Sequence, residues 1–242
     1  MITAELTDAI GLITLRREER RNALDLDHCR ALADGANELV GKGARVLVLT
    51  GEGTTFCAGA DLDGAYNEEF RTALYQALHG ICALPIPVIA SVNGPAVGAG
   101  TQLAIATDLR VAAPSAFFSV PTAQNGLAVD PWTVQRLALL GGGGPARAML
   151  LGCEQLSAVR ARELGMVDRI GTLDDALTWA AQIATMAPLS LGYSKRALNS
   201  LFEETDGDDQ LNEEFIACWR SEDVAEARLA RQERRTPQFR GR

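Results

Sequence analysis

The stretch from Pro87 to Phe118 reads PVIASVNGPAVGAGTQLAIATDLRVAAPSAFF. Its apolar run Val88 to Val92 has the length of a strand that is buried on both faces. A glycine-punctuated turn follows, then a helix that ends near Thr107, and Asp108 to Ala112 is typical of a further strand. This succession of strand, helix and strand predicts a parallel sheet.

The chain before this stretch follows a similar plan. Alternating apolar residues predict an antiparallel hairpin of Ile2 to Leu6 with Ile10 to Leu15. A helical stripe from Leu26 ends at Gly41, and the buried strand Val46 to Leu49 runs into the turn TGEGTTF. A second helix is expected near Asn67 to Ala83. Strands and helices therefore alternate in the first half of the chain.

The chain after this stretch is mostly helical in pattern. We expect a short strand from Met166 to Ile170 and helical structure from Leu173 to the end, including an amphipathic segment with Leu211, Phe215, Trp219 and Leu229. Further helices are predicted at 131–140, 145–151 and 159–165, with a break at Gly141 to Gly144.

Composition limits the class of protein. With 242 residues and 47% hydrophobic content, the chain can bury one substantial core. It has no apolar run long enough for a transmembrane helix and no signal peptide, so we expect a cytoplasmic protein. A net charge of −8 disfavours binding to nucleic acid. The five cysteines are widely spaced, which predicts buried reduced thiols and no metal site.

Two glycine-rich turns follow the two buried strands: TGEGTTFCAGADL and SVNGPAVGAGTQL. Their glycine spacing does not match a dinucleotide-binding fingerprint. Small residues there permit close backbone approach, and the N–H of Ala99 lies where a helix begins. If the N–H groups of Ala60 and Ala99 converge, they form an oxyanion hole. Tight packing of the turns is the alternative explanation.

Several motifs together resemble the crotonase, or enoyl-CoA hydratase/isomerase, family. They are RNALDL, VLVLTGEGTTFCAGADL, the stretch from Pro87 to Phe118, GGGGPARAMLLG and the closing TPQFRGR, in collinear order over nearly the whole chain. The resemblance implies an α/β fold, the ClpP/crotonase spiral of ββα units, in residues 1–190. It also implies a C-terminal helical segment, 191–242, that joins subunits into a homotrimer or hexamer.

The resemblance also implies a ligand and a site. Family members bind an acyl-CoA thioester, without another cofactor, and hold its carbonyl oxygen between two amides that fall here on Ala60 and Ala99. Family hydratases use two glutamates, and these positions are Gln102 and Thr122 here. Neither side chain is a base near neutral pH. The implied CoA-binding residues are Arg20, Arg21, Ala23, Ala58, Asp61, Leu62 and Lys195.

Several residues keep two interpretations. Asp130 either caps the helix that starts at Pro131, as Asp-Pro sequences do, or acts in catalysis, and both roles are compatible. Each of Arg20, Arg21 and Lys195 is either a phosphate contact or a solvated surface charge. Tyr66 and Phe70 belong either to an acyl lid or to the core, and the two histidines, His28 and His79, are expected to be structural.

The hypothesis is an acyl-CoA-binding protein of fatty-acid metabolism that lacks efficient hydratase activity. By resemblance it is closest to an actinobacterial branch that lacks both glutamates and is linked to mycolic-acid lipid synthesis, which implies delivery of long-chain acyl-CoA to an elongation protein. The alternative is an active isomerase or hydratase-type enzyme that uses Asp130. A structural oligomer with a vestigial site is a third alternative, which the retained Ala60 and Ala99 disfavour.

Overall fold

The computed structural model describes residues 1–61, 67–125, 127–201, 217 and 221–242. The strands are β1 (Ile2–Thr7), β2 (Ile10–Leu15), β3 (Val46–Gly51), β4 (Val88–Val92), β5 (Ala96–Val97), β6 (Leu109–Ala112), β7 (Phe117–Ser119), β8 (Gln155–Ser157) and β9 (Arg169–Ile170). The helices are α1 (Leu26–Gly41), α2 (Glu68–Ala83), α3 (Ala99–Ala106), α4 (Pro131–Gly141), α5 (Gly143–Leu151), α6 (Ala158–Leu164), α7 (Leu173–Ala184), α8 (Pro188–Asn199) and α9 (Glu222–Glu233).

The larger sheet has the strand order β1-β2-β3-β4-β6-β9. Strands β1 and β2 form the predicted antiparallel hairpin, and every later pair in this sheet is parallel. A smaller sheet has the strand order β5-β7-β8, and the sequence analysis did not predict it. The two sheets and their helices give the predicted α/β architecture.

Side-chain caps fix several helix starts. Asp25 accepts a hydrogen bond from the His28 N–H at the start of α1, and Asn67 does the same for Glu69 at the start of α2. Thr172 opens α7 with a full capping box. Each cap satisfies an N–H that has no partner within its own helix, so the sequence itself sets these boundaries.

The core lies on both faces of the larger sheet, because helices cover both. Leu47, Leu49 and Ala90 belong to the main core cluster, which includes buried residues of α1 and α2. Val46, Val48, Ile89 and Val111 point to the other face, where they pack with Ala176 and Ala180 of α7. All residues of β3 and β4 are buried, which explains why both strands are continuous apolar runs.

Some boundaries differ from the predictions. The strand predicted from Met166 to Ile170 is confined to Arg169–Ile170, because the Val167 N–H donates to Ala161 O of α6 (3.1 Å) and not to a neighbouring strand. The break between α4 and α5 is Gly142, whose φ is +89°. The segments containing Leu211, Phe215 and Trp219 lie outside the described residues.

The prediction of helix to the end of the chain was wrong. Residues 234–242 follow α9 without helical structure, and Pro237 disfavours helix before it. The Asp223 carboxylate accepts hydrogen bonds from the backbone N–H groups of Arg240 (2.6 Å) and Gly241 (2.9 Å). This folded-back tail therefore packs beside α9.

The predicted division at residue 190 falls inside α8, which runs from Pro188 to Asn199. Among the described residues, no helix is both long enough and apolar enough to cross a membrane.

Candidate functional site

The two glycine-rich turns meet in the structure. Cys57 donates its backbone N–H to Pro95 O (3.2 Å), and Val97 donates to Cys57 O (2.9 Å). A Cβ at Gly100 would lie 2.2 Å from Cys57 O, so only glycine fits at this contact. A Cβ at Gly94 would lie 2.0 Å from Thr54 O. The glycines therefore allow the backbone approach that the sequence indicated.

Ala60 and Ala99 lie on these adjoining turns. A Cβ placed on Gly59, the residue before Ala60, would be 3.8 Å from the Ala99 nitrogen. Ala99 is the first residue of α3, where a helix N–H has no acceptor in its own helix and the helix dipole is positive. Within the described part of the chain, neither the Ala60 nor the Ala99 N–H donates a backbone hydrogen bond. Two such N–H groups are suited to bind a carbonyl oxygen.

Gln102 is buried on α3, and its amide has a defined partner. Nε2 of Gln102 donates to Oγ1 of Thr133 at 2.9 Å. Thr133 Oγ1 in turn donates to the carboxylate of Asp130, and the Thr133 backbone N–H donates to Asp130 Oδ1 at 3.4 Å. Gln102 therefore acts as a hydrogen-bond donor at one end of a short chain of polar groups.

Tyr75 of α2 lies beside the same polar chain. Its hydroxyl is near enough to the Gln102 side chain and to Asp130 that both influence its pKa. Burial, and after it the negative charge of Asp130, raises the pKa of the Tyr75 hydroxyl above its ordinary value. Sequence reasoning missed Tyr75 and Thr133, because the residues of this polar chain come from three helices and the loop before α4.

Asp130 is the N-cap of α4, with Pro131 at the first helical position. The helix-cap interpretation is confirmed, and the role of Asp130 in catalysis stays a prediction. Thr122 is the first residue of a 3-10 helix, Thr122–Asn125. It is half-buried, and its carbonyl accepts a hydrogen bond from the Leu127 N–H at 2.9 Å.

The RNAL segment, residues 21–24, lies along the turn that carries Ala60. Ala58 donates its N–H to Arg21 O (2.9 Å), and Asn22 donates its side-chain amide to Glu52 O and Thr55 O (2.9 and 2.7 Å). Ala23 and Ala58 are half-buried, and Arg20 and Arg21 are exposed. Two exposed guanidinium groups beside this turn are suited to contact phosphates.

Asp61 has a side-chain partner within the protein, and its predicted role in CoA binding stays a prediction. Its carboxylate forms an ion pair with Arg17 at 2.9 Å, and the two side chains are 12% and 18% exposed. Leu62 and Tyr66 lie outside the described residues. Phe70 is buried among core residues of α2, so it belongs to the core.

Lys195 was predicted as a phosphate contact or a surface charge, but its side chain is buried in a set of polar contacts within the protein. Its ammonium pairs with Asp108 (2.9 Å) and donates to the carbonyls of Ile81 (3.1 Å) and Ile86 (2.9 Å). Its side chain is only 5% exposed. Because these three partners account for its three N–H donors, the structure gives Lys195 a role in packing α8 against the end of α2.

Each histidine has a partner of its own. His28 Nδ1 is 2.6 Å from Asp25 Oδ1, and its Nε2 is 2.8 Å from the α-amino nitrogen of Met1. The His79 ring contacts the Trp132 ring at 5.0 Å. In the residues that the structure describes, no group of three His, Cys, Asp or Glu side chains is arranged to hold a metal ion.

None of the cysteines with described positions forms a disulfide. Cys29, Cys57 and Cys82 are buried, and Cys153 is partly exposed. Burial raises the pKa of Cys57 to about 12, and burial, with smaller contributions from Cys57 and Asp25, raises the pKa of Cys29 to about 12. Cys29 and Cys57 are therefore unreactive near neutral pH.

Comparison with known proteins identifies the family. The enoyl-CoA hydratase/isomerase family model matches residues 5–242. The chain is 46% identical to a probable enoyl-CoA hydratase, echA6, of Mycobacterium tuberculosis, over all of both chains. It is 36% identical to 1,2-epoxyphenylacetyl-CoA isomerase of Escherichia coli, over 99% of this chain and 98% of the relative.

Solved structures of family members have the same fold as this chain. A structure of an enoyl-CoA hydratase/isomerase family protein from Hyphomonas neptunium superposes with a TM-score of 0.90 at 29% identity, and covers 100% of this chain and 98% of its own. The enoyl-CoA hydratase EchA1 of Mycobacterium marinum gives 0.88 at 30% identity, with 100% and 99% coverage. The fold is thus the predicted crotonase fold, and the chain belongs to the enoyl-CoA hydratase/isomerase family.

Proposed function

We propose that this protein binds an acyl-CoA thioester, holds its carbonyl oxygen between the N–H groups of Ala60 and Ala99, and does not hydrate the acyl group efficiently. The observation that carries the proposal is the buried Gln102 amide, which donates to Thr133 at a position where the family resemblance implies a glutamate. The adjoining turns support the binding half of the proposal, because both N–H groups have no backbone acceptor among the described residues.

The chemical half follows from the side chains. Hydration of an enoyl thioester needs a base to activate water and an acid to protonate the α-carbon. A glutamine amide and a threonine hydroxyl supply neither near neutral pH. Because each acid/base group contributes on the order of 10²–10⁴ in rate, loss of both makes hydration slow, while the two amides still favour thioester binding.

The ligand would extend from these amides toward the RNAL segment. Exposed Arg20 and Arg21 would contact the CoA phosphates, and the half-buried Ala23 and Ala58 would line its path. We propose long-chain acyl-CoA as the ligand and its delivery to a fatty-acid elongation protein, in mycolic-acid synthesis, as the role. This narrower proposal is motivated by the resemblance of the sequence motifs to the actinobacterial branch that lacks both glutamates.

We also propose a cytoplasmic homotrimer or hexamer. Leu198 and Leu201 near the end of α8 are 61% and 67% exposed in the single chain. Large apolar side chains close together at the surface favour association, and a partner subunit would cover them.

Asp130 supports a second candidate, isomerisation with Asp130 as the proton carrier. The observation in its favour is that the Asp130 carboxylate is linked through Thr133 to the buried Gln102 amide and lies near the half-buried Tyr75 hydroxyl. The backbone N–H and the hydroxyl of Thr133 both donate hydrogen bonds to Asp130 Oδ1, which weighs against Asp130 as the group that carries a proton between two carbons of the acyl chain.

Titration calorimetry and a turnover assay on one preparation distinguish the candidates. Saturated and unsaturated acyl-CoA of several chain lengths are the ligands. We expect tight binding of long acyl-CoA with hydration near background, and rapid hydration would contradict the proposal. Asp130→Asn keeps a good helix cap, so loss of an isomerase activity in this variant but not in exposed Asp174→Asn would favour the second candidate.

A further inference from the structure

The backbone at Ala60 is held from both sides by one residue of the RNAL segment. Leu24 donates its N–H to Gly59 O at 2.8 Å, and Asp61 donates its N–H to Leu24 O at 2.7 Å. This parallel bridge uses the peptide units on both sides of the Ala60 Cα, and the first of these units contains the Ala60 N–H itself. The direction of the Ala60 N–H therefore depends on how firmly Leu24 and Asp61 are held together.

Arg17 ties the two sides of this bridge to each other. Its Nη2 lies 2.9 Å from the carboxylate of Asp61, the residue after Ala60. Its Nη1 donates to Ala23 O at 3.2 Å and lies 3.3 Å from the carboxylate of Asp25, so it holds the residues on both sides of Leu24. One planar guanidinium thus connects the Ala60 turn with the RNAL segment.

The backbone of Arg17 is fixed as well. Its N–H donates to Asn22 Oδ1 at 3.0 Å, while the amide nitrogen of Asn22 donates to Thr55 O in the turn before Ala60. The Arg17 and Asp61 side chains are mostly buried, so water screens their attraction little. An arginine fork fits several acceptors at fixed angles, which a lysine cannot do.

We propose that Arg17 is a positioning residue: through Asp61, Ala23 and Asp25 it fixes the direction of the Ala60 N–H toward the thioester oxygen. This inference rests on the proposed function, because it assumes that the Ala60 N–H receives the carbonyl oxygen. Arg17 acts on the ligand through the backbone and has no contact of its own with the reacting carbonyl.

The test reads polarisation of the thioester directly. A saturated acyl-CoA, isotopically labelled at the thioester carbonyl, is bound to the full-length protein, and the carbonyl stretch is recorded by difference infrared spectroscopy. Two N–H donors lengthen the C=O bond and move its band to lower frequency. The variants are Arg17→Met, Arg17→Lys and Asp61→Asn. The matched control is Arg16→Met, because Arg16 pairs with Glu52 at the surface, where the side chains are 47% and 39% exposed.

We expect Arg17→Met and Asp61→Asn to move the band back toward that of the free thioester and to weaken binding by up to about tenfold, the effect of losing one neutral hydrogen bond to the ligand. Arg17→Lys should be intermediate, and Arg16→Met should behave as the wild type. A purely structural Arg17 would lower the melting temperature and leave the band in place, which would overturn the proposal. If Arg17→Met does not fold, Asp61→Asn decides between these outcomes.

The same measurement separates this inference from the proposed function. If acyl-CoA binds to the wild type without any shift of the carbonyl band, the proposed use of the Ala60 and Ala99 amides is wrong. If the wild type shifts the band and the folded Arg17 and Asp61 variants shift it equally, only the role of Arg17 is wrong.

Discussion

The side-chain nitrogen of Gln102 donates a hydrogen bond to the hydroxyl of Thr133 at 2.9 Å, and that hydroxyl donates a hydrogen bond to the Asp130 carboxylate. Both bonds run in one direction, so Gln102 is a donor at a place where proton abstraction would need a base. Substitutions along this polar chain therefore separate what it does for stability from what it does for chemistry.

Restoring carboxylates at the two substituted positions should raise hydration. We expect Gln102→Glu with Thr122→Glu to increase the hydration rate of an enoyl-CoA by on the order of 10² or more, because each acid/base group contributes about 10²–10⁴. Loss of the enoyl absorbance measures the rate. Gln124→Glu, at an exposed position of the same 3-10 helix, is the control for added charge. An unchanged rate in a folded double variant that still binds acyl-CoA would mean that other parts of the site prevent hydration.

Thr133→Val should destabilise the protein without a change of shape. Thr133 is fully buried, and the substitution removes the hydroxyl between the Gln102 amide and the Asp130 carboxylate. Unpaired buried polar groups cost about 1–3 kcal/mol, which chemical denaturation would detect. Thr72→Val, exposed on α2, should change the free energy of unfolding by less than about 0.5 kcal/mol. Equal stabilities of the two variants would argue that the Thr133 hydroxyl contributes nothing.

Gly100→Ala should disrupt the meeting of the two turns. The added Cβ would lie 2.2 Å from Cys57 O and 2.9 Å from Cys57 Cβ, so backbone must move. We expect a loss of about 1–3 kcal/mol in stability together with weaker acyl-CoA binding, since Ala99 is the adjacent residue. Gly80→Ala is the control, because a Cβ there meets no atom within 4 Å and alanine favours the helix by about 0.5–1 kcal/mol. Thermal denaturation and calorimetry would show whether the two glycines differ in this way.

The cysteines should differ in reactivity. Burial raises the pKa of the Cys29 and Cys57 thiols to about 12, so both remain protonated and unreactive near neutral pH, while partly exposed Cys153 reacts. Alkylation followed by peptide mass spectrometry measures each site separately, and Cys153→Ser is the control. Modification of Cys57 at the rate of Cys153 in the folded protein would show that the turn opens readily.

The same thiols predict how stability depends on alkaline pH. The folded state favours the neutral thiol, so the raised pKa contributes its full stability below the ordinary thiol pKa, and this is lost as pH rises through about 12. Denaturation at a series of pH values should show a falling free energy of unfolding above about pH 9. A Cys29→Ala variant should show a shallower fall if this thiol contributes.

The sequence predicted those parts of the fold that depend on neighbouring residues. Strands Val46–Gly51 and Val88–Val92 are continuous apolar runs, and Asp130 with Pro131 marks a helix start. Strands β5, β7 and β8 are two or three residues long, which is too short to show a period. Their pairing depends on residues far apart in the chain.

The site was predictable in the same uneven way. Close approach of the two turns followed from their glycines, and the resemblance supplied the positions of Gln102 and Thr122. Tyr75 joins them only because α2 packs beside α3 and α4, and Arg17 only through side-chain contacts across the RNAL turn. Burial of Lys195 depends largely on main-chain carbonyls, which no residue pattern reveals.

The anchoring of α8 bears on how the protein can be divided for experiments. Besides Lys195, Asn199 donates to Cys82 O at 2.9 Å and accepts from buried Arg136 at 3.1 Å. A fragment that stops at residue 190 would strip these partners from Asp108 and Arg136 and leave charges in the interior. Such a fragment would be prone to aggregate, so α8 belongs with the core in any shortened variant.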